Sequence, residues 1–87
     1  MVETNVTVTN PLGIHARPAA LIVQTAGRFK SEIRIIRDDL EVNGKSIMGV
    51  MMLAAEMRAV LTIRVWGEDE VECLQALTEA IKVRFDG

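Results

Sequence analysis

The single histidine of this chain, His15, lies close to an arginine and a proline, Arg17 and Pro18. Proline suits the first turn of an α-helix because its missing N–H needs no partner there. We therefore expect His15 just before a helix, where free backbone N–H groups and the helix dipole favour an anion. An uncharged imidazole is a nucleophile near neutral pH, and an arginine can pair with phosphoryl oxygens. These residue types fit phosphoryl chemistry, although an ordinary capping histidine beside an unrelated arginine has the same spacing.

A second segment, Gly44-Lys45-Ser46, resembles the end of a nucleotide-binding P-loop. A P-loop needs a glycine five positions before Gly44, and this chain has Asp39 there, so ATP binding is not supported. Ser46 is predicted to be the N-cap of a short helix. The functional alternative is a phosphoacceptor whose added charge would alter a nearby apolar surface.

Methionines cluster with other apolar residues after Ser46. Half of this cluster is expected in the core, and the remainder would form an adaptable surface patch for partners. Its members are Ile47, Met48, Val50, Met51, Met52, Leu53 and Met57.

The composition is that of one small globular domain over residues 1–87, with 49% hydrophobic and 25% charged residues. A net charge of −2, one Trp and two Phe argue against nucleic acid or an anionic membrane as a partner. One histidine and one cysteine cannot build a metal cluster or a Ser-His-Asp set, so no metal, cofactor or self-sufficient hydrolase activity is expected. Cys73 is expected in or beside the core. With no signal peptide or 20-residue apolar run, the chain is expected in the cytoplasm, without membrane insertion.

Four segments have the alternating pattern of a β-strand. Valines at positions 2, 6 and 8 predict the first strand, which Asn10-Pro11 ends. Isoleucines at positions 33 and 35 predict the second strand, and a turn at 38–39 leads into a third. The apolar run 60–66 predicts the fourth strand, and Gly67 ends it.

Three segments have helical spacing. The first helix is predicted from about Ala16 to Gly27 or Arg28, the second follows Ser46, and the third starts near Asp69. The third helix is expected to bury Val71, Leu74, Leu77, Ile81 and Phe85. The element order βαββαβα predicts an α+β open-faced β-sandwich, in which three helices cover one face of a four-stranded, mostly antiparallel sheet.

Two motifs resemble the histidine-containing phosphocarrier family, HPr, of the bacterial phosphoenolpyruvate-dependent phosphotransferase system. They are Gly13-Ile14-His15-Ala16-Arg17-Pro18-Ala19 and Gly44-Lys45-Ser46-Ile47-Met48-Gly49-Val50-Met51. The similarity extends over essentially the whole chain, including its length and element order. One departure is the segment Ala55-Glu56-Met57-Arg58-Ala59, where the family commonly has a small, glycine-containing turn.

The resemblance implies that phospho-enzyme I phosphorylates His15 on Nδ1 and that the phosphoryl group passes to an enzyme IIA domain in sugar uptake. Arg17 would stabilise the phosphoryl group, and partner enzymes would supply the remaining catalytic groups. Ser46 resembles the family's regulatory site, which an HPr kinase/phosphorylase phosphorylates in some organisms.

The resemblance also implies a docking face for these partners, carried by a chain that is expected to be a monomer. Its residues are Ala16, Ala20, Gln24, Ile47, Met48, Met51 and Met52. Two alternatives stay open: a paralogue of the nitrogen-related phosphotransferase branch, and a regulatory binding module controlled by phosphorylation of Ser46.

Overall fold

The computed structural model describes residues 1–85, which form four strands and three helices in the predicted order. The strands are β1 (Val2–Thr7), β2 (Glu32–Arg37), β3 (Leu40–Asn43) and β4 (Val60–Trp66). The helices are α1 (Ala16–Gly27), α2 (Ile47–Met52) and α3 (Glu70–Lys82). The bounds of α1 and β4 therefore match the sequence prediction.

The four strands form one antiparallel sheet in the order β1-β4-β2-β3. Ile63 at the centre of β4 pairs with Ile35 on β2, which in turn pairs with Val42 on β3. Along β4, alternate residues are buried and their neighbours are more exposed, as expected when one face is covered and the other is wet. The helices α1 and α3 pack together, and α3 packs on β1 and β4. The open-faced α+β sandwich is confirmed.

The buried stripe of α3 differs from the prediction at both ends. Val71 is 52% exposed, and Cys73 is fully buried in its place, as expected for a core cysteine. Two residues turn a helix by about 200°, so a helix that buries Cys73 must point Val71 outward. Phe85 lies beyond the helix, because Val83 has an extended backbone that ends α3. The inclusion of Val71 and Phe85 in the stripe was therefore wrong.

The methionine cluster after Ser46 is more exposed than predicted. Val50 and Leu53 are buried, whereas Ile47, Met48, Met51, Met52 and Met57 are all at least 41% exposed. A helix of only six residues has a narrow inward stripe, which Val50 fills together with Leu53 at the C-cap. The expectation that half of the cluster is core was therefore wrong.

No helix within residues 1–85 has both the length and the apolar composition needed to cross a membrane.

Candidate functional site

His15 is the N-cap of α1, with an extended backbone conformation at φ −97° and ψ −165°. Its carbonyl accepts the first helical hydrogen bond, from the Ala19 amide at 2.9 Å. The amides of Ala16 and Arg17 lie in the first turn, where an α-helix offers no internal acceptor. Pro18, the third helical residue, is buried and lacks an N–H. His15 thus stands beside backbone donors and the positive end of a helix, an arrangement that favours an anion.

The His15 ring has two different nitrogen environments. The residue is half-buried, and its Nε2 atom is buried without a hydrogen-bond partner among the described residues. Of the two ring nitrogens, Nδ1 is thus the one left for an incoming group to reach. In the tautomer that carries its proton on Nε2, the Nδ1 lone pair is free to act as the nucleophile.

Phe85 lies against both residues of the His-x-Arg motif. Its ring meets the His15 ring edge-to-face, with centroids 6.4 Å apart and an interplanar angle of 80°. The Arg17 guanidinium carbon lies over the Phe85 ring, 5.3 Å from the centroid. These distances are in the range of favourable aromatic and cation–π contacts. The segment after α3 therefore forms part of the site.

The loop before His15 is held by Asn10, which is fully buried. The Asn10 Nδ2 group donates to the Gly13 carbonyl at 2.8 Å, and the Gly13 amide donates back to the Asn10 carbonyl at 2.9 Å. The Asn10 Oδ1 atom accepts from the Phe85 amide at 3.1 Å. One side chain thus joins the His15 loop to the Phe85 segment.

Gly13 adopts φ +71°, a left-handed conformation that favours glycine. A Cβ there would overlap the Ala55 carbonyl oxygen and approach the Glu56 Cα to 2.9 Å. The next residue, Ile14, is buried, and its amide donates to the Ala55 carbonyl at 2.7 Å. The residue before His15 is therefore pinned to the segment that follows α2.

Arg37, at the end of β2, fixes that segment from the other side. Its guanidinium donates to the Leu53 carbonyl at 3.0 Å and the Ala54 carbonyl at 2.8 Å. It also pairs with the Glu56 carboxylate at 2.6 Å. The pKa of the Glu56 carboxyl lies below its ordinary value of 4.5. The main cause is a hydrogen bond from the backbone amide of Glu56 itself, and the Arg37 guanidinium adds to it.

Two non-glycine residues between α2 and β4 take left-handed conformations. Ala54 has φ +47° and Arg58 has φ +79°. Such conformations persist when surrounding contacts enforce them. Arg37 at the Ala54 carbonyl is one such contact, and the 2.7 Å hydrogen bond from the Arg58 amide to the Val8 carbonyl is another.

Ser46 is the N-cap of α2, as predicted, and its Oγ atom accepts from the Gly49 amide at 3.1 Å. The residue is half-buried. The neighbouring Lys45 ammonium donates to the Phe29 carbonyl at 2.7 Å, just beyond α1. This lysine is therefore engaged within the fold.

The predicted docking residues lie on two helices that pack against each other, α1 and α2. Most are exposed, with Met48 at 74% and Met52 at 64%, while Ala20 is half-buried. Leu12, in the loop before His15, is a further exposed apolar side chain, at 59%. The full set of predicted positions is Ala16, Ala20, Gln24, Ile47, Met48, Met51 and Met52.

Sequence reasoning missed three residues that shape this site: Asn10, Arg37 and Phe85. The Asn10-Pro11 pair signals only the end of a strand, and Arg37 has the pattern of an outward strand residue. Phe85 continues the helical spacing of α3.

The sequence of this chain was compared with protein families and with known proteins. Residues 2–83 match the family model described as the PTS HPr component phosphorylation site. The phosphocarrier protein HPr of Xylella fastidiosa is 49% identical over 86 residues, which cover 99% of this chain and 97% of the relative. Both chains are thus matched nearly end to end.

Solved structures of this family superimpose well. HPr from Bacillus anthracis has a TM-score of 0.89 and 44% identity, covering 93% of this chain and 96% of that one. Crh, the Bacillus subtilis catabolite repression protein, was solved as a dimer with a swapped domain. It has a TM-score of 0.74 and 44% identity, covering 93% of both chains. The chain therefore belongs to the HPr family, the phosphocarriers of the phosphotransferase system.

Proposed function

We propose that this phosphocarrier accepts a phosphoryl group on Nδ1 of His15 from phospho-enzyme I and passes it to an enzyme IIA domain in sugar uptake. The observation that carries the proposal is the placement of His15 at the N-cap of α1 with Nε2 buried. The ring then presents Nδ1 to an incoming phosphoryl group beside the first-turn amides.

In the transfer, the Nδ1 lone pair forms the bond to phosphorus while the bond from phosphorus to the donor breaks. The electron pair of that broken bond stays on the donor. The amides of Ala16 and Arg17 and the positive helix end stabilise the negative charge of the phosphoryl oxygens. The Arg17 guanidinium adds donors that match those oxygens. Onward transfer to enzyme IIA reverses this step on a new acceptor.

The donor and acceptor enzymes supply the remaining catalytic groups and the phosphoryl group itself. This division of labour needs no resident cofactor and makes the chain a carrier and not an independent enzyme. The exposed apolar side chains of Ile47, Met48, Met51 and Met52 are suited to such partners, because flexible methionines adapt to several surfaces. We assign Ala16, Ala20 and Gln24 to the same docking face.

Ser46 is the regulatory position in this proposal, with an HPr kinase/phosphorylase as its enzyme where the host has one. A phosphate on Oγ would carry up to about two negative charges. It would lie beside the apolar docking residues of α2, and desolvating it against a partner would weaken binding. Phosphorylation of Ser46 thereby limits access to His15.

We further propose that the chain acts in the cytoplasm as a monomer with a single domain over residues 1–87. The monomer is open to direct measurement, since Crh was solved as a domain-swapped dimer. Sedimentation equilibrium over a range of concentrations would show one mass if the proposal holds, and a rising mass if the chain pairs.

Incubation with enzyme I and phosphoenolpyruvate tests the main proposal. Wild-type chain should gain one phosphoryl group that is labile in acid and stable in base, as measured by intact mass. His15→Ala should keep its unmodified mass while its circular dichroism spectrum stays that of a folded chain. An unmodified wild-type mass, or a phosphorylated His15→Ala, would overturn the proposal.

A regulatory binding module is the second candidate, and the similarity to Crh favours it. In that case phosphorylation of Ser46 would create a binding surface and His15 would be idle. Binding to a partner that requires Ser46 phosphorylation, together with no phosphoryl uptake by His15, would favour this candidate over the carrier.

A further inference from the structure

The Phe85 ring contacts both His15 and Arg17. The backbone of Phe85 is itself held in place by a hydrogen bond to the loop before His15. The Phe85 amide donates to Asn10 Oδ1, and the same buried side chain donates to the Gly13 carbonyl. The ring is thereby anchored to the loop that carries His15, although His15 and Phe85 are 70 positions apart in the sequence.

Arg17 is exposed, and its side chain makes no hydrogen bond or ion pair within residues 1–85. The contact that orients it is the one with the Phe85 ring, 5.3 Å away. An aromatic ring has no lone-pair acceptor, so this contact leaves the five N–H donors of the guanidinium free for phosphoryl oxygens. A carboxylate in the same place would compete for those donors.

We propose that Phe85 is a positioning residue for phosphoryl transfer, which holds the Arg17 guanidinium beside His15 before the phosphoryl group arrives. This inference rests on the proposed function of His15. A free arginine side chain samples many rotamers and loses that freedom when it binds a phosphate. By restricting Arg17 beforehand, Phe85 reduces the ordering required as the bond from Nδ1 to phosphorus forms.

Single-turnover transfer from phospho-enzyme I, measured by rapid quench, tests this role. Phe85→Leu should lower the rate at saturating donor about two- to five-fold, the effect expected for an exposed cation–π contact. The donor concentration at half-maximal rate should change less, because the docking residues are untouched. Phe85→Trp keeps a ring face and should restore the wild-type rate.

Phe29→Leu is the matched control, because the Arg28 guanidinium lies over the Phe29 ring at 5.6 Å, outside the site. This variant loses an equivalent contact and should transfer at the wild-type rate. If Phe29→Leu and Phe85→Leu slow the transfer equally, the effect is one of general stability and the proposal is wrong.

A double-mutant cycle with Arg17→Ala separates positioning from packing. If Phe85 acts through Arg17, then Phe85→Leu should have no further effect on rate in the Arg17→Ala background. Multiplicative losses would overturn the proposal, as would a Phe85→Leu rate equal to wild type. A wild-type chain that takes up no phosphoryl group would instead refute the proposed function of His15 itself.

Discussion

The Ile14 amide donates a 2.7 Å hydrogen bond to the Ala55 carbonyl, and this contact joins the residue before His15 to the segment after α2. On its far side that segment is held by Arg37. The conformation of the His15 loop therefore depends on residues that are distant from it in sequence.

Gly13→Ala should destabilise the fold and slow phosphoryl uptake. The substitution places a Cβ against the Ala55 carbonyl at a backbone φ of +71°. A left-handed conformation alone costs about 1–2 kcal/mol for a residue with a Cβ. Urea unfolding measures the loss. Gly27→Ala is the control, because a Cβ there meets nothing within 4 Å, and its stability should stay equal or rise. Equal stabilities for the two variants would contradict the account.

Arg37→Ala should lower the free energy of unfolding by about 1–2 kcal/mol, since two carbonyls lose a charged donor. The rate of phosphoryl uptake by His15 should also fall, because the segment that pins Ile14 is loosened. Arg34→Ala is the control on the same strand, where, within residues 1–85, the guanidinium pairs only with the exposed Glu32 carboxylate. That exposed pair is worth about 0–1 kcal/mol. If Arg34→Ala lowers the unfolding free energy and the uptake rate as much as Arg37→Ala does, the hydrogen bonds of Arg37 to the Leu53 and Ala54 carbonyls have no specific role.

The stability of the fold should depend on pH through Asp69. This carboxylate accepts from the Ser31 hydroxyl at 2.5 Å and from the Lys30 amide at 2.9 Å. These hydrogen bonds, that of the hydroxyl first, hold the pKa of Asp69 below its ordinary value of 3.8. Because the unfolded chain then binds the proton more readily, the stabilisation is present above 3.8 and is lost as the pH falls through the lower folded value.

The urea midpoint of Asp69→Asn should therefore be lower than that of wild type at neutral pH and converge towards it below pH 3.8. Asp39→Asn removes the same charge from the exposed turn after β2 and serves as the control. If Asp69→Asn and wild type lose stability in parallel over this range, Asp69 is not the titrating group.

Substitutions of Ser46 should separate its capping role from its charge. Ser46→Ala removes the acceptor of the Gly49 amide and should cost about 1 kcal/mol. Ser46→Asn and Ser46→Asp both provide a capping oxygen, so both should stay stable. Only Ser46→Asp adds a negative charge, and titration calorimetry should show weaker binding to enzyme I for it alone. Equal affinities of the Asn and Asp variants for enzyme I would show that negative charge at position 46 does not weaken this binding.

Local sequence signals predict the helices and strands of this chain. They do not predict the long-range contacts around His15. Pro18 and the apolar spacing after it define α1, and the Ser46 cap defines α2. Arg37 binds carbonyls 16 and 17 residues away, a relation that no local pattern encodes. Phe85 keeps the spacing of α3, yet the extended backbone at Val83 redirects it to His15.

The sequence also does not predict the left-handed conformations of Ala54 and Arg58, because neither residue is a glycine. Tertiary contacts select these conformations against the local preference of the chain. The sequence shows that Ala55-Glu56-Met57-Arg58-Ala59 contains no glycine, but it does not show that the Ala55 carbonyl accepts from the Ile14 amide.

The atom that carries the phosphoryl group is the most direct test of the account. After reaction with enzyme I and phosphoenolpyruvate, NMR of the ¹⁵N-labelled chain can detect coupling between phosphorus and one imidazole nitrogen. The buried Nε2 of His15 predicts that the coupling is to Nδ1. Coupling to Nε2, or a phosphoryl group on any residue other than His15, would contradict the account.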